Sequence, residues 1–370
     1  MITKSRRMKI RAYNFGAGPA MLPESILLEA QAELLNWKGL GMSVMEVGHR
    51  TPPFEALMEE LEASFRDVMS IPNNYHVLFL GGAARTQFAM VPLNCLGRDS
   101  KAGYLISGIW SSMAYDEASR LSHAYCIASS EPNQFTSVPN ARSWRIEDDT
   151  RYVYYTPNET INGVRFNKIP DVGNIPLVAD MTSCMLSEPF KVTDFGVMFA
   201  GAQKNISSAG LTIVIIRDDL LNDAPAYPIP TMMDYRTHVT HHSMYATPPM
   251  FNCYLALKML EWVKAQGGVE LLYKINQQKA AALYDYIDAS SFYHCSIEKH
   301  SRSIVNVCFT LEKKELEDAF LTLATQCGLL ALKGHRTVGG LRASLYNAMP
   351  MAGVNALLAF MQGFAETHQE

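Results

Sequence analysis

Lys204 stands at the end of the run Phe195-Gly-Val-Met-Phe-Ala-Gly-Ala-Gln-Lys-Asn205, where a short apolar stretch gives way to small residues, a glutamine and one amine. A second apolar run, 211–216, follows. Strand, tight turn, lysine and strand would deliver an amine to a fixed point at a sheet edge. A lysine held where its pKa falls below the usual ~10.4 is partly neutral, and a neutral amine can form a Schiff base with a carbonyl compound. A turn lysine by itself is ordinarily just solvated. Asp180 changes that reading, because it closes an earlier apolar run, Ile175-Pro-Leu-Val-Ala-Asp180, and sets a carboxylate at a neighbouring strand end.

Other residues could bind anions. The apolar stretch 77–80 runs into Gly81-Gly-Ala-Ala-Arg85-Thr-Gln87. Strand, glycine turn and helix make an anion site, since the first amides of a helix have no partner inside it. Two basic pairs, His49-Arg50 and His335-Arg336, sit in loop-like segments, and Arg342 lies shortly beyond the second. Arginine supplies planar, paired hydrogen bonds to carboxylate or phosphate. His238, His241 and His242 fall in a long irregular stretch, 226–249, but no carboxylate or cysteine is placed to complete a metal site, and none is expected.

These residues need a scaffold, and the chain is long enough to build one. At 370 residues it has room for two domains and a sizeable core. Near balance of charge, 32 Lys+Arg against 36 Asp+Glu, argues against a bulk nucleic-acid binder. The seven cysteines are scattered without a CxxC pair, as expected for reduced thiols in a cytoplasmic protein. The basic start lacks the apolar region of a signal peptide, and no run approaches the ~18 residues of a membrane span. Residues 1–12 read as a loose lead-in, disordered or packed near the C-terminal domain.

Helical spacing marks Ile26, Ala30, Leu34 and Trp37, and again the stripe Phe54, Leu57, Met58, Leu61, Phe65, Val68 and Met69. Strands are expected near 77–80, 104–106, 124–127, 152–155, 175–180, 197–200 and 211–216. Alternation with helices predicts an α/β fold with a mainly parallel sheet and ligands at the strand ends. Helices are expected over about 251–264 and onward to about 286, with Gly267-Gly268 between them. The division is therefore a large domain, 13–268, and a smaller α+β domain, 269–370. The latter should hold a strand at 304–308, a helix near 316–324 and the loop-like motif 333–344.

An aspartate at one strand end and a lysine just after a later strand is the arrangement a pyridoxal phosphate site needs. The segment Gly201-Ala-Gln-Lys-Asn205, with Ala209-Gly-Leu-Thr-Ile213, resembles the lysine region of class V (fold-type I) aminotransferases, in particular the branch acting on phosphoserine. The likeness runs from Phe15-Gly-Ala-Gly-Pro-Ala-Met-Leu-Pro23 to Tyr346-Asn-Ala-Met-Pro350.

The resemblance implies a large domain with a seven-stranded sheet and a small C-terminal domain. It also implies a cytoplasmic homodimer with composite active sites and no membrane or nucleic-acid partner. In that pattern Lys204 and Asp180 are catalytic: the lysine holds the cofactor aldehyde and the aspartate serves the ring nitrogen. Trp110 stacks on the ring, and Thr160 lies near its phenolic oxygen. Ala84, Arg85 and Gln203 contact the cofactor phosphate, and Ala246 and Thr247 reach across the dimer to it. Arg342 takes the substrate α-carboxylate, while His335, Arg336 and the pair His49 and Arg50, which either this chain or the partner subunit could supply, surround the substrate phosphate.

The implied reaction is transamination of 3-phosphohydroxypyruvate by L-glutamate to O-phospho-L-serine and 2-oxoglutarate, with 4-phosphohydroxythreonine of vitamin B6 synthesis as a related substrate. Where the pattern has a serine pair, a histidine and an asparagine, this chain has Gly16-Ala17, Gly81 and Ala246. Those departures keep two alternatives open: another class V aminotransferase or lyase, and a scaffold that binds pyridoxal phosphate or a phospho-ligand without turnover.

Overall fold

The computed structural model describes residues 11–222 and 225–368, so most of the basic lead-in, residues 1–10, lies outside the described residues. β1 (Tyr13–Asn14) precedes α1 (Glu24–Glu33) and α2 (Pro52–Met69). Strands and helices then alternate through β2 (Tyr75–Gly81), α3 (Gln87–Cys95), β3 (Lys101–Ile106), α4 (Ile109–Leu121), β4 (His123–Ser129) and β5 (Thr150–Tyr155). A small hairpin of β6 (Asn158–Glu159) and β7 (Val164–Arg165) leads to β8 (Leu177–Asp180), β9 (Val197–Gly201) and β10 (Leu211–Arg217). Helices α5 (Tyr235–Thr240), α6 (Met250–Ala265) and α7 (Gly268–Ala289) follow. The chain then forms β11 (Tyr293–His294), β12 (Asn306–Leu311), α8 (Glu317–Gln326), β13 (Leu329–Leu330), β14 (Leu341–Ser344) and α9 (Met351–His368).

Seven strands make one sheet in the order β2-β10-β9-β8-β5-β3-β4, the mainly parallel α/β sheet the sequence predicts. Only β10 runs against its neighbours, β2 and β9. Side chains alternate between two cores: Val77 and Phe79 face one and Leu78 and Leu80 the other, and likewise Met198 and Ala200 against Val197 and Phe199. Residues of α2 and α6 fill the first core, and residues of α3 and α4 the second. Burial on both faces is why these strands read as unbroken apolar runs.

A second sheet, β11-β12-β14, is antiparallel and packs with α7, α8 and α9 around a core that includes Leu283, Val307, Phe320 and Leu357. Phe15 belongs to this core, and β1 pairs with β13, so the start of the described chain is knitted to its C-terminal part. Among the described residues no helix is long and apolar enough to cross a membrane.

Three local expectations change. Trp37 is buried, but not on the α1 stripe: the helix ends at Glu33, Leu34 is exposed, and Trp37 opens a separate 3-10 turn whose amide donates to Met42 O. The stretch 226–249 contains α5, capped where Asp234 accepts from the Arg236 amide. Arg342 lies on a strand rather than a loop, opposite Cys308 of β12, while Leu341 and Ala343 point into the small core.

Lys279 is fully buried on α7, and its Nζ donates to the carbonyls of Leu345, Tyr346 and Met349 at 2.9, 2.9 and 3.0 Å. Burial pushes the amine down to about 7, yet three acceptors call for three N–H groups, which only the ammonium form has. Beside it, Asn276 Nδ2 donates to Ser187 O and Asn347 Oδ1. α7 thereby fixes the segment after β14. Lys279→Met would remove the ammonium from all three carbonyls, of which Tyr346 O keeps the Met349 amide as a donor, and should cost about 2–4 kcal/mol. The loss should appear as a lower urea midpoint at unchanged slope; an unchanged midpoint would contradict the assignment.

Candidate active site

Asp180 is the last residue of β8, and Lys204 lies just beyond the end of β9, the parallel neighbour in which Phe199 stands opposite Asp180. Parallel strands put both ends on one sheet edge, which is why the two groups share a cavity of about 440 Å³. The lysine turn is closed by backbone bonds from Ser207 N to Ala202 O and from Ala202 N to Leu211 O. Lys204 is buried, and its Nζ donates to Thr160 Oγ1 at 2.6 Å. Burial pushes its amine down to about 8; Asp180 opposes that shift and the Arg342 charge adds to it. Burial also pushes the Asp180 carboxyl up, against the Thr182 hydrogen bonds and the Lys204 charge that hold it down. The Thr182 amide donates to Asp180 Oδ1 at 2.9 Å.

The predicted anion turn forms: β2 ends at Gly81 and a 3-10 turn, Ala84–Thr86, leads into α3. Ala84 and Arg85 line the cavity, with the Arg85 guanidinium 5.2 Å from the centre of the Trp110 ring. Gln203 folds back over Gly201, where a Cβ would fall 2.5 Å from its Oε1. Gly18 has φ +142°, and a Cβ there would lie 3.6 Å from Lys204 Cγ, so a bare backbone passes beside the lysine. From the part of the chain that carries the antiparallel sheet come His335, which lines the cavity, and Arg342 of β14, whose Nη1 donates to Thr160 O at 3.3 Å. Partial burial, with the charges of Arg342 and Arg336, pushes the His335 pKa down.

Of the residues singled out from sequence, Ala84, Arg85, Trp110, Thr160, Asp180, Gln203, Lys204, His335 and Arg342 thus line one cavity. Arg336 is exposed and is not part of the lining. His49, Arg50, Ala246 and Thr247 form a separate surface cluster instead. There His49 Nδ1 lies 3.2 Å from Thr247 Oγ1, and Arg50 Nη2 donates to Tyr245 O at 3.3 Å. His238 is buried with its Nε2 3.0 Å from Met232 O, and among the described residues no His/Cys/Asp/Glu group could hold a metal.

Sequence reasoning overlooked Glu159, Asn158, Thr182 and Ser183. Asn158, Thr182 and Ser183 line the cavity, and Glu159 is buried directly beside Thr160. The one available signal was the run Thr156-Pro-Asn-Glu-Thr160, mostly polar, directly after the apolar run 152–155. Of the departures from the family pattern, Gly16 has a local cause. Its amide donates to Asn14 Oδ1, and a Cβ would stand 2.9 Å from that oxygen.

With its pKa near 8, Lys204 gains its neutral form well below the ~10.4 of an exposed lysine. Reductive methylation by formaldehyde, followed residue by residue with peptide mass spectrometry, should therefore show a rate midpoint near pH 8 at Lys204. A midpoint equal to that of exposed lysines would contradict the burial argument.

The family model for aminotransferase class-V matches residues 12–357. The phosphoserine aminotransferase of Legionella pneumophila (strain Lens) is 58% identical over 359 residues, covering 97% of this chain and 99% of that protein. Among solved structures, the phosphoserine aminotransferase from Bacillus circulans subsp. alkalophilus superposes with a TM-score of 0.94 at 42% identity, covering 97% of this chain and 99% of that one. A PLP-bound phosphoserine aminotransferase from Trichomonas vaginalis gives 0.92 at 38% identity, covering 95% and 100%. With a lysine and an aspartate at adjacent strand ends of a fold-type I sheet, and with this extent of likeness, the chain belongs to the class V aminotransferase family.

Proposed function

We propose that this protein transfers the amino group of L-glutamate to 3-phosphohydroxypyruvate, giving O-phospho-L-serine and 2-oxoglutarate, with pyridoxal 5'-phosphate as cofactor. The observation that carries this reading is the buried Lys204–Asp180 pair in a cavity that also holds Arg342. The residues present fit the cofactor. Trp110 Nε1 and Arg342 Nε are buried polar atoms without a partner, and both side chains line the cavity. The bare backbone at Gly18 and Gly201 leaves space, and the turn before α3 offers amides to a phosphate.

When bound, the cofactor supplies the electron sink that lets a proton leave Cα of the amino acid. Lys204, partly neutral near pH 8, takes that proton and returns it. Thr160 fixes the lysine Nζ through its hydroxyl and steadies Arg342 through its carbonyl. With the cofactor bound, the Asp180 carboxylate would keep the ring nitrogen protonated, Trp110 would hold the ring, and Ala84, Arg85 and Gln203 would hold the phosphate. Arg342 binds the substrate α-carboxylate and His335 the substrate phosphate, while Arg336, exposed beside His335 and outside the lining, turns to the phosphate when substrate is bound.

His49, Arg50, Ala246 and Thr247 complete the site of a second copy in a homodimer. Their clustering away from this chain's own cavity supports that reading. So do the exposed apolar residues Leu27, Leu28, Leu35, Met42 and Met45, which precede the His49-Arg50 pair in the chain. The seven free cysteines support a cytoplasmic location.

Purified protein supplied with pyridoxal phosphate should convert 3-phosphohydroxypyruvate only when L-glutamate is present; absence of turnover would overturn the proposal. Charged hydrogen bonds contribute about 1.5–3 kcal/mol each, so removing one should cost roughly ten- to a hundredfold in kcat/KM. Arg336→Ala should impair phosphoserine and 3-phosphohydroxypyruvate far more than glutamate, which has no phosphate. Arg342→Ala should impair both partners alike. Equal losses for phosphoserine and glutamate in the Arg336 variant would refute its assignment.

A further inference from the structure

Glu159 is a fully buried carboxylate that none of the chemistry above uses. It sits on β6, and its oxygens face the first turn of α4, a different part of the chain. Its Oε2 accepts the Trp110 amide at 3.0 Å, and its Oε1 accepts the Ser111 amide at 2.8 Å and the Ser111 hydroxyl at 2.6 Å. A carboxylate is well placed at a helix N-terminus, where amide donors lack partners inside the helix. The approach is close enough to dictate a glycine: a Cβ on Gly108 would lie 2.5 Å from both Cγ and Cδ of Glu159.

Each neighbour of Glu159 in the chain reaches a different part of the molecule. Thr160 receives the hydrogen bond of Lys204 Nζ, and its carbonyl receives that of Arg342. Asn158 Nδ2 donates to Ser183 Oγ and Asn306 Oδ1, which ties the segment to both domains. Three consecutive residues therefore hold the lysine, the small-domain sheet and the helix turn that carries Trp110. A packing role alone would not require a carboxylate here, since burial pushes the Glu159 pKa up to about 7 and the three Trp110 and Ser111 contacts work against that shift. The α4 turn is instead held by a carboxyl group that in its ionised form accepts all three hydrogen bonds, set one residue from the lysine's partner.

We propose that Glu159 is a positioning residue for the reaction. It fixes the Trp110 ring in the cavity from the same segment that fixes Lys204, so that ring and amine keep one mutual geometry. The inference rests on the reading of this cavity as a pyridoxal phosphate site. Glu159→Gln, nearly equal in shape, turns one acceptor oxygen into a donor that opposes the Trp110 or Ser111 amide.

The test is the dissociation constant for pyridoxal phosphate, measured by equilibrium dialysis in wild type, Glu159→Gln, Trp110→Ala and the double variant. Glu159→Gln should weaken binding about tenfold. Because it acts through Trp110, it should add little once Trp110 is alanine. Ser111→Ala, which removes only the hydroxyl donor, should give a smaller loss that likewise vanishes in the Trp110→Ala background, and it decides the matter if the glutamine variant fails to fold. Unchanged affinity in the Glu159 variant, or a full loss that persists without Trp110, would overturn the proposal. Failure of the wild type to bind pyridoxal phosphate would overturn the cofactor reading itself, and this inference with it.

Discussion

The site depends on the burial of one amine beside one carboxylate. Taking Lys204 out of water is unfavourable for its charged form, and that penalty is what brings its neutral form within reach of ordinary pH. The sheet makes the penalty tolerable. β8 and β9 are parallel neighbours, so Asp180 and the lysine turn emerge on one edge, and Thr160 gives the amine a hydrogen bond in place of water. Asp180 is shifted in the opposite sense by the same burial and is held by Thr182. Two groups whose environments push their pKa values in opposite directions are the usual mark of proton-transfer chemistry.

A pair of this kind works only if the rest of the cavity stays in register with it, and here both the seven-stranded and the three-stranded sheet contribute. Arg342 comes from the small antiparallel sheet, whose neighbouring strand carries Asn306, the partner of Asn158. On another side, Asn205, next to Lys204, accepts the amide of Asn347 and donates to Met185 O, while α7 holds the same C-terminal segment through Asn276 and Lys279. Most of the polar groups buried between these two parts of the chain are thus paired with one another, while Asn276 Oδ1 and Arg342 Nε are left without a partner. Unpaired, each would cost free energy; paired, they specify a single relative placement of arginine and lysine.

What could be read from the sequence follows this physics. The strands buried on both faces were legible as apolar runs, and where such a run stops at an aspartate or a glycine turn the chemistry shows at once, as at Asp180, Lys204 and the turn before Arg85. Arg342 was misplaced onto a loop because its strand is short and follows Gly339-Gly340, so period-two alternation had little room to appear. Trp37 has helical spacing by coincidence and is buried through a turn. Glu159 was invisible for a different reason. Its partners, Trp110 and Ser111, are 49 and 48 residues away, and no local pattern records a contact made by tertiary folding. Arg336 and the His49-Arg50 pair could be marked as anion binders from residue type, but only the folded chain shows that they stand outside its own cavity.

The central claim is that Lys204, and no other lysine, carries the cofactor. Borohydride reduction of the protein saturated with pyridoxal phosphate, followed by digestion and mass spectrometry, would locate the pyridoxyl group directly. The account predicts one modified site, at Lys204, and loss of the label when L-glutamate is added before the borohydride. A label on Lys279 or a surface lysine, or none at all, would contradict it.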